Sequence, residues 1–127
     1  MKINIITPKR TAFTSKADKI FGPGHYGEFG LLPDHASFVT LNKPGVITVH
    51  LGADEIKMLV GKGFAEASDD EISYLVEICE KVEDIDKKAA QEALDKAQKS
   101  IDGLDPLDAQ YNTLMDQINL ANARLEA

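Results

Sequence analysis

Apolar and polar positions alternate along the first two thirds of the chain and then change period. Glu71-Ile72-Ser73-Tyr74-Leu75-Val76-Glu77-Ile78 places Ile72, Tyr74, Val76 and Ile78 on one face at a period of two, which predicts a strand. Gly45-Val46-Ile47-Thr48-Val49-His50-Leu51 and Ile56-Lys57-Met58-Leu59-Val60 flank Gly52-Ala53-Asp54-Glu55, which predicts a hairpin with a four-residue loop. Asp69-Asp70 separates Phe64-Ala65-Glu66-Ala67 from the 71–78 strand and predicts a second, tighter hairpin. The chain reads as a strand from Lys2 onward, without the charged-then-apolar pattern of a targeting segment. Short strands spaced about 8–12 residues apart point to two sheets packed face to face.

The period lengthens after about residue 84. Ala90, Ala93, Leu94, Ala97 and Ile101 form a narrow helical stripe, and Gly103 suits the residue just past a helix end. Asp105 is the expected N-cap of a second helix, with Pro106 in its first turn. Leu107, Tyr111, Leu114, Ile118, Ala121 and Leu125 follow a 4-3-4-3-4 spacing, a single seam. The expected organisation is therefore an N-terminal all-β sandwich over residues 1–83 and an antiparallel two-helix hairpin over 84–127, with helices about 86–102 and 106–126. Short helices with an alanine seam are held weakly, so the hairpin reads as a detachable element.

Composition agrees with that division. Eight of the nine glycines and four of the five prolines precede residue 84, and eight alanines come after it. Fourteen Lys and Arg against 21 Asp and Glu give a net charge of −7, which offers no basic footprint for nucleic acid. No apolar run approaches the ~18 residues of a membrane span. The single cysteine, Cys79, makes no internal disulfide.

Sites of chemistry are scarce. Gly22-Pro23-Gly24-His25-Tyr26-Gly27 matches a dinucleotide fingerprint literally, but the next residues, Glu28 through Pro33, are too broken by Gly and Pro for the required helix. A turn-rich loop is expected there instead. The three histidines, His25, His35 and His50, and Cys79 show no metal-ligand spacing. Asp34, His35 and Ser37 stand too close in sequence to converge as a hydrolytic triad. Lys87, Lys88, Lys96 and Lys99 give the first helix a basic face. No catalytic residue, metal site or cofactor is expected, and the residues alone read as a binding or structural module.

One segment is more specific. Gly27-Glu28-Phe29-Gly30-Leu31-Leu32-Pro33-Asp34-His35-Ala36 closely resembles the signature G-E-[FL]-G-[IL]-x-P-x-H-A of the epsilon subunits of F-type ATP synthases, a family that includes the mitochondrial subunit called delta. Thr7-Pro8, Ala17-Asp18, Lys43-Pro44-Gly45, Gly63-Phe64-Ala65-Glu66 and Ile85-Asp86 extend the resemblance along essentially the whole chain. The resemblance implies a sandwich followed by a helical hairpin and a non-catalytic, central-stalk role. It implies contacts with the gamma subunit and the c-subunit ring through Glu28, Phe29, Gly30, Leu31 and His35, with Glu28 facing the ring and His35 facing gamma. An extended hairpin would reach the alpha and beta subunits and brake ATP hydrolysis. Helix two carries Asp108, Asp116 and Glu126 against Arg124 alone, so any brake is expected to be weak or to act through helix one.

Some family members bind ATP at the hairpin through an Ile/Leu-Asp-x-x-Arg-Ala motif. Here Ile85 and Asp86 match, but Ala89 stands at the arginine position, so ATP binding is expected to be weak or absent. A nucleotide-sensing module whose hairpin closes on ATP is the alternative. Membrane association is expected only through the complex, at the cytoplasmic face of a bacterial inner membrane or its thylakoid equivalent. A start directly on a strand favours a bacterial-type or plastid-encoded chain over an imported precursor.

Overall fold

β-Branched and aromatic residues at alternate positions build two five-stranded sheets in the computed structural model, which describes residues 1–24, 27–31 and 37–127. The side chains of Glu28, Phe29 and Leu31, and all of His25, Tyr26 and 32–36, lie outside the described residues. The strands are β1 (Lys2–Thr7), β2 (Arg10–Lys16), β3 (Lys19–Gly24), β4 (Gly27–Leu31), β5 (Phe38–Asn42), β6 (Gly45–Leu51), β7 (Asp54–Val60), β8 (Gly63–Ser68), β9 (Glu71–Val76) and β10 (Cys79–Lys81). Sheet A runs β2-β1-β9-β8-β5 and sheet B runs β10-β7-β6-β3-β4. All pairings are antiparallel except β1 with β9.

The core lies between the sheets. Ile3, Ile5, Ala65, Ala67, Ile72, Tyr74 and Val76 face inward from sheet A, and Ile20, Ile47, Val49, Met58 and Val60 from sheet B. Each fully buried branched side chain contributes about 1.5–3 kcal/mol, which is what holds a sandwich this small.

Several expectations are corrected here. The 71–78 run is not one strand: β9 ends at Val76, and the chain crosses to the other sheet as β10, paired with β7. Ile78 is half-buried at the crossing, where its carbonyl accepts from the Gly61 N–H at 3.0 Å. The first hairpin loop has two residues, not four, because Leu51 pairs with Asp54 and His50 with Glu55. Gly52 at φ 60° supplies the positive φ that a two-residue loop needs at its first position. The 68–71 turn is the tight hairpin expected, with Asp69 in the left-handed region at φ 49°. Residues 22–31 are mostly strand rather than turn-rich loop, since β3 and β4 pair antiparallel. Pro23 is tolerated because the ladder from β3 to β6 covers only Lys19–Phe21.

A single 3-10 turn, Val82–Asp84, leads into α1 (Lys87–Ile101) and α2 (Ala109–Glu126). Ala90, Leu94 and Ala97 of α1 are buried as expected, but Ala93 is exposed. Asp108, not Asp105, caps α2, accepting from the Gln110 N–H at 2.9 Å. Asp105 instead accepts from the Leu107 N–H at 2.9 Å and closes the connecting turn, leaving Leu107 92% exposed and off the seam.

The second helix is covered on two sides. Ala121 and Ala123 are both buried although they point about 160° apart round the helix. One side meets α1, and the Ala123 side faces the outer surface of sheet B. Leu59 of β7 is fully buried yet alternates with the inward-facing Met58 and Val60, so it is buried on this outer face rather than between the sheets. Among the described residues, no helix is long and apolar enough to cross a membrane.

Candidate functional site

Three surfaces carry the residues of interest. The first is the β3–β4 hairpin at one edge of sheet B. Glu28, Phe29, Gly30 and Leu31 belong to β4, in register with Pro23, Gly22, Phe21 and Ile20. His35 lies outside the described residues, so its relation to Glu28 is not part of this geometry. Gly30 has a definite structural reason: a Cβ there would lie 2.9 Å from Cε1 of Phe21 and 3.0 Å from Cδ1. The Phe21 ring therefore lies across the glycine. It also meets His50 edge-on, with centroids 5.7 Å apart at 88°, and has Lys19 Nζ 5.8 Å from its centroid. His50 Nδ1 stands 3.8 Å from the Glu55 carboxylate.

The second surface is the outer face of sheet A, which the sequence pattern did not single out. Val39 and Leu41 of β5 are 68% and 59% exposed, and Phe64 of β8 is 44% exposed. The registers join Leu41 to Phe64, Phe64 to Leu75, and Leu75 to Ile6, an apolar row four strands wide. At its far end Ile6 and Leu75 line a shallow cleft of about 380 Å³ with Pro8. The signal was present in the sequence as strands without strict alternation. Tyr74-Leu75-Val76 and Phe64-Ala65 are apolar at successive positions, the pattern of a strand covered on both faces.

The third surface is the seam between the hairpin and sheet B. Asp86 caps α1 by accepting from the Ala89 N–H at 3.0 Å, and Ile85 is half-buried beside it. The two matching motif residues thus have a structural role, and Ala89 brings only its backbone donor. Lys87 Nζ donates to the Leu125 carbonyl at 2.8 Å and to that of Ala127, tying the end of α2 to the start of α1. A cleft of about 650 Å³ opens between α2 and the sheet, with Lys43, Lys57, Asn119, Asn122 and Glu126 among its polar lining. Lys62 is paired with Asp116, and that hydrogen bond, with the nearby charge of Asp116, raises the lysine's pKa. Arg124 binds Glu80 twice, Nη2 to Oε1 at 2.5 Å and Nε to Oε2 at 3.3 Å.

No set of groups converges for nucleophilic chemistry among the described residues, and no three His, Cys, Asp or Glu side chains stand close enough to hold a metal. Burial pushes the Cys79 thiol up to about 11 despite the nearby Arg10, which keeps it protonated at neutral pH.

Residues 1–82 match the family model described as the beta-sandwich domain of the ATP synthase delta/epsilon chain. Proteins named ATP synthase epsilon chain are similar over nearly the full length. The one from Geobacter metallireducens is 33% identical over 99% of this chain and 91% of its own. That from Trichlorobacter lovleyi is 32% identical over the same shares. Among solved structures, a chain of the Euglena gracilis mitochondrial ATP synthase (OSCP/F1/c-ring) superposes with a TM-score of 0.82 at 18% identity, over 95% of this chain and 76% of that one. A chain of the Tetrahymena thermophila mitochondrial ATP synthase central stalk and c-ring gives 0.69 at 13% identity, over 98% and 95%. Sandwich, hairpin and full-length similarity together make this chain a member of the ATP synthase delta/epsilon family.

Proposed function

We propose that the chain is a non-catalytic central-stalk subunit of a rotary F-type ATP synthase that couples ion flow through the membrane ring to ATP synthesis. In this reading the outer face of sheet A docks on the gamma subunit. The segment of Glu28, Phe29, Gly30 and Leu31 meets the c-subunit ring, and His35 meets gamma. The complex holds the chain at the cytoplasmic face of a bacterial inner membrane or its thylakoid equivalent. The hairpin regulates ATP hydrolysis by leaving the sandwich and reaching the alpha and beta subunits.

The observation that carries the reading is the apolar row Leu41, Phe64, Leu75 and Ile6. A cross-strand apolar face left open on a well-packed sandwich marks a surface that a partner covers. A cognate catalytic head lacking this chain tests it. Full-length chain should bind the head, and Phe64→Lys should weaken binding at least about tenfold by burying an unpaired charge. Equal binding by the variant overturns the docking face. The same titration read as ATP hydrolysis tests regulation: slowing by the full chain, but not by a chain ending at Glu83 that is first shown to fold, supports a brake.

The nucleotide-sensing alternative gains no support from the hairpin. The Asp86 carboxylate is engaged as a cap, and no cation replaces the arginine at Ala89. Calorimetry with ATP should give no binding tighter than millimolar, and a micromolar dissociation constant would restore that alternative.

A further inference from the structure

Among the described residues, two ion pairs join the hairpin to the sandwich, and their polarities are opposed. Lys62 on the sandwich meets Asp116 on α2, whereas Glu80 on the sandwich meets Arg124 on α2. Asp116 and Arg124 are eight residues apart, so they stand about 12 Å apart along the helix. The sheet thus presents plus then minus, and the helix minus then plus. Sliding α2 by a turn breaks both pairs, and reversing its direction sets like charges together. Of the two buried residues of α2, Ala123 lines the cleft against the sheet, and half-buried Leu120 stands one turn from both Asp116 and Arg124. Apolar contacts of this kind are non-directional, whereas opposed charges distinguish register and direction. The contacts inside the hairpin are of another kind: Lys87 binds the end of α2, and Ala90, Leu94 and Ala97 pack between the helices.

We infer that Lys62–Asp116 and Glu80–Arg124 form a charge-coded latch. It sets the register of α2 on sheet B and makes release of the intact hairpin depend on ionic strength. The inference deepens the regulatory reading above by naming what holds the hairpin down. Both pairs are partly open to water: Lys62 and Asp116 are about half exposed, Glu80 and Arg124 about a third. Pairs so placed are weakened by salt. The bidentate Arg124–Glu80 pair is the stronger by geometry.

The test uses the isolated full chain, so its outcome is independent of whether the chain regulates hydrolysis. In a Cys79→Ser background, Ala123→Cys reports opening between α2 and the sheet through its rate of thiol labelling. Ala97→Cys reports opening between the helices. Glu80→Gln and Arg124→Gln should each speed labelling at 123 by about two- to tenfold. The double variant should be no faster than the faster single one, as expected of coupled residues. Labelling at 97 should change less than about twofold. Raising salt from about 0.05 to 0.5 M should speed labelling at 123 in the parent chain, and much less once Asp116→Asn is added to the double variant. Unchanged labelling at 123, additive effects, or equal acceleration at 97 and 123 would overturn the latch, the last because the hairpin would be melting rather than lifting. Amide exchange of α2 in the chain without engineered thiols is the second readout. It should quicken with salt, and salt-independent exchange also overturns the proposal.

Discussion

Gly30 has no side chain because the Phe21 ring occupies that space, and the consequence is measurable. Gly30→Val forces the ring aside, and overpacking of this kind costs about 1–3 kcal/mol. For a domain of this size that lowers Tm by about 5–15 °C, and Phe21→Ala in the same chain should recover part of the loss. The glycine was legible in the sequence as part of a motif, but its reason was not, because Phe21 comes from the neighbouring strand. Cys79 gives a second prediction at this scale. Its pKa rises from 9.0 to about 11 on folding through burial. The unfolded chain therefore releases its proton first as pH rises. Stability is full below about pH 9 and is lost as pH climbs from 9 toward 11. Buried Tyr74, whose pKa is also raised by burial, adds to the fall. Denaturant titrations across that range should show a shallower decline in Cys79→Ala than in the parent chain.

Elements differ in how plainly the sequence announces them, for physical reasons. Strong period-two runs such as Ile72 to Val76 predict their strands directly, whereas β3 and β4 are hidden by glycines and a proline that suit an edge hairpin. The helices were legible from alanine content and spacing, but the start of α2 was not. Asp105 and Asp108 are both competent caps. The choice falls to Asp108 because Asp105 is used in the turn, which leaves Leu107 in solvent. At the start of α1, Asp86→Ala removes the cap and should cost about 1 kcal/mol of hairpin stability. Amide exchange should then quicken about fivefold across α1 and leave β1 and β9 unchanged. Equal quickening in the sandwich would mean that the two parts unfold together.

The whole molecule has two outer faces with different fates. Sheet B is covered in part by its own chain through α2, and sheet A keeps its apolar row open. The faces should act independently. Phe64→Lys should reduce binding to the gamma-containing head while leaving Ala123→Cys labelling within about twofold of its parent. Accelerated labelling would reveal communication through the sandwich. The sequence made the two-part architecture plain but not which face each part leaves free, since that depends on register. One pairing has a further consequence. β1 is an interior strand of sheet A, held on one side by β2 and on the other by β9, with Ile5 opposite Tyr74. On the ribosome its second neighbour does not yet exist. At ~5–20 residues per second, the chain between them takes on the order of several seconds to be made. Throughout that interval Ile3 and Ile5 lack their final cover, so a nascent chain of this kind is exposed to chaperones and to other nascent chains until its ninth strand emerges.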